Sequence, residues 1–75
     1  MKRYTNLSGE SGVSAYETGP DFIIVQFSSG DAYLYNYLSA GKGAIELMKH
    51  YAIQGKGLSA FISRSVKSNY ASKLN

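Results

Sequence analysis

Lys42, Lys49 and Lys56 recur every seven residues in this chain. Seven residues are close to two turns of an α-helix, so the three ammonium groups are expected on one side of one rod. Lys42 and Lys56 lie in two copies of one tripeptide, Gly41-Lys42-Gly43 and Gly55-Lys56-Gly57. Where such glycines open a helix, free backbone N–H groups favour anions, and an adjacent lysine adds charge to those donors. The plainer reading is that these glycines only start and stop helices. Arg64 and Lys67 follow on the next helical stretch, so the candidate anion-binding set is Lys42, Lys49, Lys56, Arg64 and Lys67.

The overall net charge of +3 hides an asymmetry. Residues 1–37 hold two cations against four carboxylates, a net of −2, while residues 38–75 hold six cations against Glu46, a net of +5. A basic half of this kind points to nucleic acid or another polyanion, and equally describes a solvated helical face.

The inventory for catalysis is thin. Cysteine is absent, which excludes disulfides and thiolate metal sites, and His50 is the single histidine. No Gly-x-Ser-x-Gly elbow and no Gly-x-x-x-x-Gly-Lys-[Ser/Thr] phosphate loop is present. The carboxylates are scattered, with no pair spaced for glycoside or metal chemistry. No catalytic residue, metal or cofactor is therefore expected. The longest apolar run, Phe22-Ile23-Ile24-Val25, is strand-sized, far short of the ~20 residues of a membrane span. With no signal-peptide-like stretch either, a cytoplasmic protein without a membrane partner is expected.

The elements that must position these groups follow from the hydrophobic period. Residues 1–10 are polar and read as a flexible lead-in, and residues 72–75 as a frayed tail around a single domain spanning 11–71. Val13–Tyr16, Phe22–Phe27 and Ala32–Tyr37 alternate as strands, separated by Gly19-Pro20-Asp21 and Ser28-Ser29-Gly30. The second turn has no Asn or Asp before its glycine, which favours a three-residue loop with Gly30 left-handed. That register puts Tyr33, Tyr35 and Tyr37 on the face of Ile23, Val25 and Phe27. The opposite face then shows Phe22, Ile24, Gln26, Ala32, Leu34 and Asn36.

From Lys42 to Gln54 the period changes to 3.6, and Gly55 is placed to stop that helix. A second helix begins near Leu58. The expected fold is α+β: a three-stranded antiparallel β-meander followed by two helices packed on one sheet face. Val25, Phe27, Leu47, Met48, Phe61 and Ile62 are expected in its core.

Three pieces of the chain together resemble the KTSC domain, a family found at the C-terminus of some lysyl-tRNA synthetases and as free-standing bacterial and phage proteins. They are Ser11-Gly12-Val13-Ser14-Ala15-Tyr16; Phe27-Ser28-Ser29-Gly30 leading to Tyr33-Leu34-Tyr35; and Gly57-Leu58-Ser59-Ala60-Phe61-Ile62-Ser63-Arg64-Ser65-Val66-Lys67, followed by Tyr70. The resemblance covers roughly residues 11–71. It implies a compact α+β domain and, by association with the synthetases, RNA. It brings no catalytic residues. Many members have Asn before the Phe of the second helix, where this chain has Ser59 or Ala60.

The functional expectation is a small non-enzymatic accessory module that binds RNA or another polyanion through its basic helical face. The alternative is a protein-interaction or homo-oligomeric module, such as a phage or mobile-element factor acting on a host protein. The half-apolar second sheet face motivates that alternative.

Overall fold

A computed structural model describes residues 1–7, 9, 11–66 and 68–75. Strands β1 (Lys2–Arg3), β2 (Val13–Thr18), β3 (Phe22–Phe27) and β4 (Ala32–Asn36) precede helices α1 (Tyr37–Ala40), α2 (Lys42–Gln54) and α3 (Leu58–Phe61). A π-helical segment, Ile62–Val66, continues α3, and strand β5 (Ser72–Lys73) ends the order. All neighbouring strands are antiparallel, in the spatial order β1-β2-β3-β4-β5.

The α+β meander is as expected, but among the described residues the sheet has five strands, not three, and three α-helices stand where two were expected. The two additions come from the segments read as lead-in and tail. Each is a polar pair of residues with no apolar alternation, so no period announces it. Backbone pairing to an open sheet edge holds them instead. On one edge, the Tyr4 amide donates to the Ser14 carbonyl at 2.9 Å. On the other, the Leu74 amide donates to the Ala32 carbonyl at 2.8 Å.

The β3–β4 turn has the expected form. The Phe27 amide donates to the Asp31 carbonyl at 2.8 Å, which leaves Ser28, Ser29 and Gly30 as a three-residue loop. Gly30 has φ of 100°, open to glycine at no steric cost. The register pairs Val25 with Tyr33 and Ile23 with Tyr35, so the tyrosines share the face of Val25. Tyr37, expected to close β4, opens α1 instead. Asn36 caps that helix: its side chain accepts from the Ser39 amide, and the Ser39 hydroxyl accepts from the Asn36 amide in return.

The core lies between that face and the helices. Ile23, Val25, Ile45, Met48 and Leu58 are wholly buried, with Tyr4, Tyr16, Tyr35, Phe61, Ile62 and Val66 beside them. Of the expected core, Val25, Met48, Phe61 and Ile62 are buried, and Phe27 packs half-buried against the cluster. Leu47 corrects the expectation: it is 46% exposed. Only Ile45, Met48 and Ala52 of α2 are buried, a stripe about 60° wide at 100° per residue, and Leu47 falls well outside it.

Gly55 ends α2 at φ of 82°, and its amide donates to the Tyr51 and Ala52 carbonyls. A Cβ there would come within 2.8 Å of Thr5 Cβ. Gly55→Ala is therefore expected to cost about 1–3 kcal/mol, from left-handed strain and the close approach of Thr5. Chemical denaturation reads this directly, and an unchanged midpoint would show that the link relaxes freely.

Candidate functional site

The cationic residues separate into two kinds once placed. Lys42 is exposed at the start of α2, and Lys56 is exposed just past its end. Thirteen residues of helix set these groups ~20 Å apart along the rod. Arg64 is exposed in the π-helical segment, where Ile62 and Val66 face the core and leave Ser63, Arg64 and Ser65 outward. Its Nε donates to the Ala60 carbonyl at 3.4 Å. Lys67 lies outside the described residues.

Lys49, expected to face solvent with the others, does not. Its side chain is 16% exposed and lies against the β2–β3 turn. Nζ donates to Glu46 Oε2 at 3.0 Å and to the Pro20 carbonyl at 3.1 Å. The Tyr37 hydroxyl donates to the same Glu46 oxygen at 2.7 Å and stands 3.1 Å from the Pro20 carbonyl. Together these groups tie the middle of α2 to the start of α1 and to the turn. The Tyr37 hydrogen bond, followed by Lys49, holds the Glu46 carboxyl below the ordinary glutamate value. The same bond raises the Tyr37 hydroxyl. Because the carboxyl is depressed, this tie supports the fold above the ordinary carboxylate range and loses that support as pH falls through the lowered value. The heptad spacing does not put three free ammonium groups on one rod: Lys56 lies past the end of α2, and Lys49 is engaged in holding the helix to the β2–β3 turn.

The link between α2 and α3 is shaped by contacts from the N-terminal segment. The Leu7 amide donates to the Gly55 carbonyl at 2.7 Å, and the Leu58 amide donates to the buried Tyr4 hydroxyl at 3.4 Å. Gly57, at φ of 87°, sits so close to Tyr51 that a Cβ would lie 3.1 Å from its ring. Tyr51 in turn packs on Phe61 at 5.4 Å between ring centroids and meets the His50 ring at 5.9 Å. These contacts frame a cavity of about 280 Å³ lined by His50, Tyr51, Gln54, Lys56 and Gly57.

That cavity combines an exposed ammonium, an imidazole, a side-chain amide and an aromatic wall. A phosphate would find charge at Lys56 and donors at Gln54, and a flat ring would find Tyr51. Of these groups Lys56 is among the expected anion-binding residues, and His50, Tyr51 and Gln54 are not. The signal was there in their position, within the five residues before the second Gly-Lys-Gly, but Tyr51 also fits a core pattern.

The tyrosine stripe belongs mainly to the interior. Tyr35 is 2% exposed, and its hydroxyl is pushed up to about 12, first by burial and then by Tyr33 and Tyr70. A raised folded value stabilises the fold fully below the ordinary tyrosine value near 10. That contribution is expected to be lost as pH climbs from there to about 12. Spectrophotometric titration should show a late-ionising tyrosine that disappears in Tyr35→Phe; one early, uniform transition would contradict the burial.

Among the described residues, no helix is long and apolar enough to cross a membrane, and no group of three or more His, Asp or Glu side chains is placed to hold a metal. Compared with protein-family models, with curated proteins and with solved structures, the chain matches none.

Proposed function

We propose that this chain is a small non-enzymatic module that binds a polyanion, RNA first, on its helical side, with the α2–α3 link as the centre of contact. One observation supports this most: an exposed Lys56 beside a cavity walled by His50, Tyr51 and Gln54. Lys42 and Arg64 add exposed charge on the same helical half. The KTSC resemblance, through its synthetase context, favours RNA over DNA.

Lys49 is left out of the binding set because its ammonium is already paired. Lys42, Lys56, Arg64 and Lys67 remain. Four phosphates on a single strand give a log–log salt slope of about −3. Fluorescence anisotropy of a labelled single-stranded RNA at rising salt measures that slope. A flat dependence, or no binding at low salt, removes the proposal.

A second reading, self-association or a protein partner, rests on a different observation. The sheet face first suspected is only half-open, with Phe22, Ile24 and Leu34 partly buried. The two most exposed large apolar side chains are on the helices: Leu38 is 98% exposed and Ile53 71%. Light scattering at high concentration separates this reading from the first, since a dimer broken by Leu38→Ser would favour it.

A further inference from the structure

A second cavity, of about 360 Å³, lies between the sheet and the end of the π-helical segment. Its walls include Phe27, Tyr33, Tyr35 and Tyr70, with Ile62 beside them and the Asp31 carboxylate among the lining groups. The Phe27 and Tyr33 rings meet edge-on at 5.9 Å, Tyr33 and Tyr70 lie 4.6 Å apart, and Tyr35 meets Tyr70 nearly perpendicular at 6.2 Å. Aromatic faces are negative, so a cleft lined by several rings beside a carboxylate can attract a cation. Among the described residues, no basic side chain lines the cavity itself.

The chain supplies its own demonstration of that chemistry at the rim. Strand β5 pairs with β4 and sets Lys73 opposite Tyr33. The Lys73 ammonium stands 5.9 Å from the Tyr33 ring centroid and 3.4 Å from Asp31 Oδ1. Both partners of this ion pair are 46% exposed, so it exchanges easily with solutes. Ser29 donates to the other carboxylate oxygen at 3.2 Å. The cation therefore approaches the aromatic cluster from the side of Asp31, and Lys73 competes for that carboxylate.

We propose that the cleft formed by Phe27, Asp31, Tyr33 and Tyr70 is a binding site for an organic cation, an alkylated ammonium or guanidinium group. The rings shed water from the alkyl part, and Asp31 answers the charge. The site is separate from the α2–α3 link and does not depend on the polyanion reading. The group has two sources, a free small ion or a basic side chain on an extended segment that takes the place of β5 along β4, since β5 shows that a strand can deliver a lysine to this position.

The test uses choline and its uncharged isostere 3,3-dimethylbutanol as probes, followed by NMR of the isotopically labelled full chain. Choline should give saturable shifts at Phe27, Asp31, Tyr33 and Tyr70, and the isostere should not. Asp31→Asn should weaken choline binding about fivefold, as expected of a cation partly exposed over aromatic rings. Lys73→Met should tighten it, because the internal competitor is gone. An acetylated, amidated Tyr-Ala-Ser-Lys-Leu-Asn peptide separates the sources. Shifts at the ring groups together with the backbone amides of residues 32–34 indicate a segment, and peptide shifts no stronger than those of choline indicate a free ion. Equal binding of the isostere, weaker binding after Lys73→Met, or no saturable shift at about 0.1 M choline overturns the proposal.

Discussion

Phe61→Ala is expected to remove most of the stability of this chain. Phe61 is 8% exposed, packs on Tyr51 at 5.4 Å and belongs to the cluster that joins α2, α3 and the sheet. Truncating a buried phenylalanine costs about 3–5 kcal/mol, part of it for the cavity left behind. Seventy-five residues support a total of roughly 4–11 kcal/mol. The variant should thus lose its cooperative urea transition or show it at far lower urea. Leu47→Ala is the informative contrast. At 46% exposure it should change stability by no more than about 0.5 kcal/mol. Similar losses for both variants would mean that the outer side of α2 is covered in solution.

The second large effect concerns binding. Lys56→Glu with Arg64→Glu replaces two exposed cations by anions and leaves the core untouched. If the helical half meets phosphate, RNA affinity at low salt should fall by at least about a hundredfold, since each reversal removes one favourable contact and adds one repulsive one. Urea midpoints should stay near those of the unaltered chain. Lys49→Ala should behave in the opposite way. It breaks the ties to Glu46 and Pro20 and should lower stability, yet leave the salt slope of binding unchanged. Weakened binding in Lys49→Ala together with an altered slope would return Lys49 to the contact surface.

The residues that announced the fold did so through local physics. The change of hydrophobic period near residue 40, the three-residue loop at Gly30 and the left-handed stop at Gly55 each depend on neighbours in sequence, and each is where it was expected. What escaped depends on distant partners. β1 and β5 are too short to show a period, and they exist because β2 and β4 leave edges to be paired. Tyr4 looked like part of a loose lead-in, but it is 3% exposed because the chain carries it to Leu58. The short α1 was marked by Asn36 and Ser39, a cap pair easily read as the polar end of a strand.

The candidate site was legible to a similar degree and for the same reason. An exposed cation outside a helix's apolar stripe, such as Lys42, can be read from a helical wheel, and Lys56 from the glycine stop before it. The engagement of Lys49 cannot, because its partner is the carbonyl of Pro20, 29 residues earlier. Likewise the aromatic cleft joins Phe27 and Asp31 to Tyr70 across most of the chain, so only the β4–β5 pairing reveals it.

The central claim, that a polyanion is held at the α2–α3 link, is tested most directly by titrating a short single-stranded RNA into the isotopically labelled chain and following backbone amides by NMR at low salt. The largest shifts are expected from His50 to Leu58, with further changes at Lys42 and Arg64. Shifts concentrated on Ile24, Gln26 and Leu34 of the opposite sheet face, with the link unmoved, would contradict it.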